Sequence, residues 1–301
     1  MMKKVIIFLL VFMLYGCKPS TNLSIMVPQG SPQLALLGLD HSQYDIEIVL
    51  GADPLVAAFG SMSHDAIVAP TNLGAKLYQA KPSYLLAATL VWGNYHLVST
   101  GFTSLSIASL NEKNIIVFGQ NQTSDIILKH LLDIYNIDAS LTYVDSVAAA
   151  ASLYIYDPTQ IVLVAEPHLS ILKQLIPATQ SIDCQELYEQ YHGRSSYPQA
   201  SLFVRSNLSN HQILTLLDDV NASILWVNSR TDDVLEAGLD AHLAEDKTVL
   251  SNAILGSHLA FERASDAKES CNFYLSIILS FNPQLIGGYL PEDGFYWSDI
   301  S

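Results

Sequence analysis

The chain has 301 residues, half of them hydrophobic, and carries 29 acidic against 14 basic side chains, a formal charge of −15. So acidic a surface repels phosphate backbones and argues against nucleic acid as a partner. The three cysteines do not make a disulfide framework, and the nine histidines show no His-x-His, His-Glu-x-x-His or Cys-x-x-Cys spacing, so nothing in the pattern asks for a metal or another cofactor.

In chain order, Met1-Met2-Lys3-Lys4 precedes an apolar run from Val5 to Tyr15 and then Gly16-Cys17-Lys18-Pro19. A charged start, an apolar core and a small residue before a cut site are the parts of a secretory signal, and the core is too short to cross a bilayer of roughly 30 Å. The Leu14-Tyr15-Gly16-Cys17 ending resembles a bacterial lipoprotein signal. That likeness implies removal of residues 1–16, lipidation of Cys17, and a polar tether over residues 17–22 that holds the protein on the extracytoplasmic face of the membrane. Loss of Lys3 and Lys4 would take the charge from −15 to −17.

After the tether, short β-branched runs alternate with helical patterns, which predicts an α/β architecture with mostly parallel strands. Strands are expected at Leu23–Val27, Ile46–Leu50 and Ala66–Ala69, each followed by a polar or Pro/Gly turn and a helix. Asp53 is placed as an N-cap, with Pro54 at the first helical position. Two extended stretches, Tyr84–Val91 and Tyr95–Thr100, flank Trp92-Gly93-Asn94. A second α/β unit follows: strand Asn114–Phe118, a loop Gly119–Gln122, and a helix capped by Thr123-Ser124 with Ile127, Leu128, Leu131, Leu132 and Tyr135 on one face. Strands Leu141–Val144 and Gln160–Ala165 then alternate with helices opening at Ser146 and at Glu166-Pro167. Ala200–Val204 is extended, and from Asn207 onward the pattern is almost all helix.

This order predicts two lobes joined by two extended crossovers around a hinged cleft. Lobe one would hold residues 23–98 and 205–301, and lobe two 99–204. Ligands of parallel sheets bind at the carboxyl edge, so the loops there supply the candidate site. Lobe one offers Gln29, Gly30, Ser31, Asp53, Thr71, Asn72, Trp92 and Asn94; lobe two offers Gln120, Thr123, Ser124 and Glu166. Most of these loops run into a helix N-terminus with free backbone N–H groups, and Trp92 offers a face for stacking. Taken singly, Asp53, Thr123 and Ser124 are better explained as helix caps and Glu166 as a favourable helix-start charge, while Trp92 serves equally as a core aromatic.

Segments spread over the mature chain resemble the type II periplasmic binding proteins of ABC importers, in the branch associated with nitrate, sulfonate, taurine and thiamine-precursor ligands. They are Asp65–Tyr78, Phe118–Ser124, Leu163–His168, Tyr197–Ala200 and Pro291–Tyr296. The resemblance implies a two-lobed fold with a ligand cleft and a non-catalytic, monomeric receptor that captures a small solute and hands it to a permease. An enzyme on the same fold, similar to futalosine-pathway dehydratases or pyrimidine-precursor synthases, is the alternative. Against it stand the absence of Gly-x-Ser-x-Gly, Walker and Gly-x-Gly-x-x-Gly motifs and of the cysteine-rich segment of the pyrimidine synthases. A ligand-sensing lipoprotein without transport is the third possibility. All four arginines, Arg194, Arg205, Arg230 and Arg263, fall outside the predicted cleft loops. This leans the ligand away from sulfonate or nitrate, which profit from a guanidinium, and toward a neutral or weakly cationic heterocycle.

Overall fold

The computed structural model describes residues 22–193 and 197–299. The signal, Cys17, most of the tether and Arg194 lie outside the described residues. The first unit runs β1 (Leu23–Pro28), α1 (Ser31–Leu34), β2 (Tyr44–Val49), α2 (Asp53–Ser61), β3 (Ala66–Pro70), α3 (Thr71–Ala80) and β4 (Tyr84–Val91). The second runs β5 (Tyr95–Ser99), β6 (Asn114–Phe118), α4 (Thr123–Ile134), β7 (Ser140–Val144), α5 (Val147–Tyr156), β8 (Ile161–Ala165), α6 (His168–Leu175), β9 (Gln180–Asp183) and α7 (Cys184–His192). The chain closes with β10 (Ala200–Arg205), α8 (Asn210–Ser229), α9 (Asp232–Asp240), α10 (Lys247–Gly256), β11 (Leu259–Arg263) and α11 (Ala264–Phe281).

Two sheets result, ordered β11-β4-β10-β3-β1-β2 and β7-β6-β8-β5-β9. In each, three parallel strands (β2-β1-β3 and β7-β6-β8) carry the βα units, while β10, β11 and β5 pair antiparallel to their neighbours. The expectation of mostly parallel sheets therefore holds for the βα units and fails at the strands next to the crossovers. β5 pairs in the second sheet and β10 in the first, so the chain changes sheets at residues 92–94 and 197–199. The crossovers placed at Tyr95–Thr100 and Ala200–Arg205 are thus strands of the sheets that they enter. Two strands have no counterpart in the sequence reading: β9 and β11 are edge strands whose sequences, Gln-Ser-Ile-Asp and Leu-Ala-Phe-Glu-Arg, lack the β-branched runs that buried central strands need.

Helices cover the sheets with the faces that their periodicity predicts. On α4, Ile127, Leu128, Leu131 and Leu132 are buried while Tyr135, just past its end, is half-buried. The long α8 starts at a capping box, in which Ser209 Oγ accepts from the Gln212 N–H and Gln212 Oε1 accepts from the Ser209 N–H. Gly74 lets α3 lie flat on β10, because a Cβ there would collide with the Phe203 ring. One apolar cluster backs the first sheet with α8, a smaller one lies under α5 and α6, and the largest runs continuously between the sheets. In that largest cluster Tyr197 stacks between Tyr95 and Tyr274, with ring centroids 6.1 and 6.0 Å away. Cys184 and Cys271 are buried and free. No helix among the described residues is long and apolar enough to cross a membrane.

Candidate functional site

The carboxyl ends of six parallel strands, three from each sheet, face one cleft. Pro28, Val49 and Pro70 end β1, β2 and β3; Phe118 ends β6; Val147 and Ala148 open the helix after β7; and Glu166 follows β8. The main cavity has a volume of about 740 Å³ and is otherwise walled by Leu50, Leu55, Pro167, His168 and Leu243. A side chamber of about 290 Å³ shares Pro28, Ala52, Pro70 and Phe118 with it and adds Asn72, Tyr95, Gln122, Thr123, Ser124, Gln199 and Leu285. These volumes match small-molecule sites, as do mostly apolar walls with a few polar groups.

Six of the expected residues line this cleft: Gln29 and Gly30 from the first sheet, Glu166 from the second, and Asn72, Thr123 and Ser124 in the side chamber. Gly30 takes φ +104°, a conformation that L side chains rarely adopt, so the chain can turn sharply from β1 into α1. Asn72 and Thr123 meet across the gap: Thr123 Oγ1 donates to Asn72 Oδ1 at 3.2 Å, joining α3 to α4. Ser124 is spent inside its own loop, donating to the Phe118 carbonyl at 2.7 Å.

Glu166 is 5% exposed. Its carboxylate accepts the Ser170 N–H at 3.2 Å and the Ser170 hydroxyl at 3.0 Å, clasping the first turn of α6. Burial pushes its pKa up to about 7, against the downward pull of those two hydrogen bonds. Gly256, at the end of α10, packs so closely on this carboxyl that a Cβ would strike it. His168 is held below the ordinary imidazole range by burial.

The other six expected residues lie elsewhere. Asp53 is exposed; it is the first residue of α2 rather than its N-cap, a position taken by Ala52, and makes no side-chain cap. Gln120 sits in the loop before α4 but does not line the cleft, and the N-cap there is Gln122 rather than Thr123 or Ser124. Trp92 is 3% exposed and donates its indole N–H to the Ala260 carbonyl at 2.9 Å, packed toward β11 instead of facing a solute. Thr71 is fully buried against Ser201, 2.8 Å away. Ser31 and Asn94 belong to a buried network beneath the cleft. Gln199 donates to Asn94 Oδ1 at 2.7 Å, Asn94 donates to Ser31 Oγ at 2.9 Å, and Ser31 lies 2.8 Å from Ser257 Oγ.

Phe118, His168, Gln199, Tyr95 and Leu243 were not among the expected residues. Phe118 ends its strand, and the strand-end position itself was the available signal. Leu243 and Leu285 come from the helical region and carry no sequence signal for this role.

No family model and no curated protein matches the chain. Solved structures do. An ABC transporter structure from Parabacteroides distasonis superposes with a TM-score of 0.82 at 20% identity, over 93% of this chain and 99% of that one. The periplasmic aliphatic sulphonate binding protein of Escherichia coli gives 0.68 at 12% identity, covering 92% of each chain. The alkanesulfonate-binding protein of Xanthomonas axonopodis pv. citri, bound to MOPS, gives 0.62 at 14% identity, over 90% and 95%. The chain has the periplasmic-binding-protein fold. At these identities the likeness fixes architecture, and the cleft of this chain has to be read from its own lining. Among the described residues no lysine or arginine lines it. Arg205 is paired with Asp65 at 2.7 Å and Arg263 with Asp218 at 2.8 Å, while Arg230 caps the end of α8.

Proposed function

We propose that this chain is the solute-binding lipoprotein of an ABC importer, anchored through a lipid on Cys17 and acting as a monomer without catalysis. The two sheets serve as lobes that close on a small solute and present it to a permease. The observation that carries this reading is the convergence of six strand ends, three from each sheet, on one cavity of ligand size.

The lining argues for the class of solute. Apolar walls from Pro28, Leu55, Pro70 and Phe118 favour a flat or bulky apolar body. The polar groups are amides, the hydroxyls of Tyr95, Thr123 and Ser124, a neutral imidazole and one carboxyl, with no lysine or arginine among the described lining residues. Gln199 Oε1 is buried without a partner among the described residues at the edge of the side chamber, an acceptor suited to a donor on the solute. A sulfonate or nitrate would find no guanidinium here. A neutral or weakly basic heterocycle fits, with its N–H groups toward Gln199 and Glu166.

Native mass spectrometry of the purified protein should show such a compound co-purifying. A thermal-shift screen should respond to thiamine precursors or flavins and not to taurine, alkanesulfonates or nitrate. A shift with sulfonate or nitrate alone would overturn the ligand class, and unimpaired solute uptake in a strain lacking the protein would overturn the transport role. Cys17→Ser should move the protein from the membrane to the soluble fraction, because stable anchoring needs the acyl chains; retention of that variant on membranes would overturn the anchor.

A further inference from the structure

Beside the crossovers, three side chains meet that do not line the cleft. His96 lies on β5 and Asp183 at the end of β9, both in the second sheet; His258 immediately precedes β11, the edge strand of the first. One ligating atom from each lies within 4.8 Å of the others. Asp183 Oδ2 is 2.8 Å from His258 Nε2 and 4.0 Å from His96 Nδ1. Zinc held at about 2.0–2.2 Å by nitrogen and oxygen spaces its tetrahedral ligands roughly 3.3–3.5 Å apart, a value between those two separations. Small side-chain adjustments would therefore close a coordination shell.

Two features set the cluster apart from an ordinary ion pair. Asp183 is aimed from behind: its Oδ1 accepts the N–H groups of Gln185 at 2.8 Å and Glu186 at 3.4 Å, which leaves Oδ2 turned to the imidazoles. His96 is 4% exposed, and its Nε2 is buried with no hydrogen-bond partner among the described residues. The nitrogen turned to Asp183 is Nδ1, 4.0 Å from its carboxylate, so a buried imidazole with one ring nitrogen unbonded stands next to an oriented carboxylate, a donor set that suits a cation. Access exists from outside, through a groove of about 250 Å³ lined by Trp92, Gln185, Glu189, His258 and Glu262. Its two carboxylates favour entry of a cation, and it leaves room for a fourth, non-protein ligand.

We propose that His96, Asp183 and His258 form a divalent-cation site of the zinc type, which ties the edge of the first sheet to the second beside the crossovers. Two imidazoles and one carboxylate suit zinc, whereas calcium or magnesium would require a shell of oxygens. None of the three residues lines the solute cleft, and the proposal does not rest on what the cleft binds.

Zinc chloride titrated into EDTA-stripped, EDTA-free protein against a competing chromophoric chelator tests this, with the melting temperature followed in parallel. One equivalent should bind and the melting temperature should rise. His258→Gln, at a partly exposed position, should fold and weaken zinc by more than about tenfold. Asp183→Asn, which keeps a good helix cap, should weaken it as well. His130→Gln is the control: His130 and His192 form a separate pair, their Nε2 atoms 2.9 Å apart, and among the described residues they belong to no group of three ligands. Its zinc affinity should equal the wild type's. No bound equivalent, an unchanged affinity in His258→Gln, or a loss confined to His130→Gln would each overturn the proposal.

Discussion

At the rim of the cleft, Gln29, Gln122 and His168 line the cavity and make no side-chain hydrogen bond to another described residue. At the crossovers a few residues away, Ser31, Asn94, Gln199 and Ser257 bond one another in an unbroken chain, and Trp92 is locked to Ala260. Both regions draw on amides, hydroxyls and aromatics at strand ends. Depth separates them: a buried polar group is mostly paired within the protein, whereas one at the rim keeps its capacity for a solute, and Gln199 belongs to both, its Nε2 bonded to Asn94 and its Oε1 at the side chamber. The crossovers should therefore answer to mutation in stability, and the rim in affinity.

The largest expected effect is at Trp92. Trp92→Ala removes a buried indole and strands the Ala260 carbonyl, which should cost about 3–5 kcal/mol in urea-induced unfolding. A folded, fully stable Trp92→Ala protein with weakened solute binding would reverse the assignment and make Trp92 a cleft wall. Asn94→Ala should follow at about 2–3 kcal/mol, because it leaves both Ser31 and Gln199 short of a partner. If stability is unchanged in that variant, the crossover network is not a structural unit.

Glu166 belongs to both regions, since it lines the cleft and clasps α6. Its carboxyl is raised by burial from 4.5 to about 7 in the folded chain. The folded state therefore binds this proton more tightly than the unfolded state. The stabilisation it brings is present below pH 4.5 and is lost as pH rises to about 7, on the order of 2–3 kcal/mol. His130 works in the opposite direction. Burial first, and His192 second, depress it to about 4, so its contribution is lost as pH falls from 6.5 toward 4. In Glu166→Gln only the histidine side remains. Between pH 7 and pH 5 that variant should lose stability relative to wild type, and parallel pH profiles for the two proteins would show that Glu166 is not titrating there.

The sequence displays the architecture more clearly than the site. Alternating runs locate the parallel strands and the α4 face because burial imposes a period there, and one carboxyl-edge argument reaches Gln29, Gly30, Asn72, Thr123, Ser124 and Glu166. The same argument cannot tell Ser31, Thr71 and Asn94 from rim residues, since depth below the rim is set by packing between the sheets. Asp53 reads as an N-cap from its type and from Pro54, yet α2 begins one residue earlier than that reading requires. Leu243 reaches the cleft from the link between α9 and α10. Only the packing of α10 against α6 brings it there, and no local pattern encodes that.

The smallest effect expected is at the point where the two sides touch. Thr123 and Asn72 bond each other across the side chamber, so each satisfies the other in the absence of solute. Thr123→Val keeps the side chain's shape, and because Gln122 rather than Thr123 is the N-cap, α4 should not fray. Asn72→Ala removes the acceptor. Each change should cost about 1 kcal/mol or less in stability, and the double-mutant cycle should return a coupling of about 0.5–1.5 kcal/mol. The bond also joins the two sides of the cleft, so its loss should favour separation of α3 from α4. Small-angle scattering of solute-free Thr123→Val should then give a larger radius of gyration than wild type, with both proteins converging once solute is bound. A coupling of zero with an unchanged radius would mean that the cleft is held shut by the Tyr95–Tyr197–Tyr274 stack and its apolar surroundings alone. The contact between the two sides would then be apolar packing rather than a polar latch, and the contrast between rim and crossover would extend right up to the mouth of the cleft.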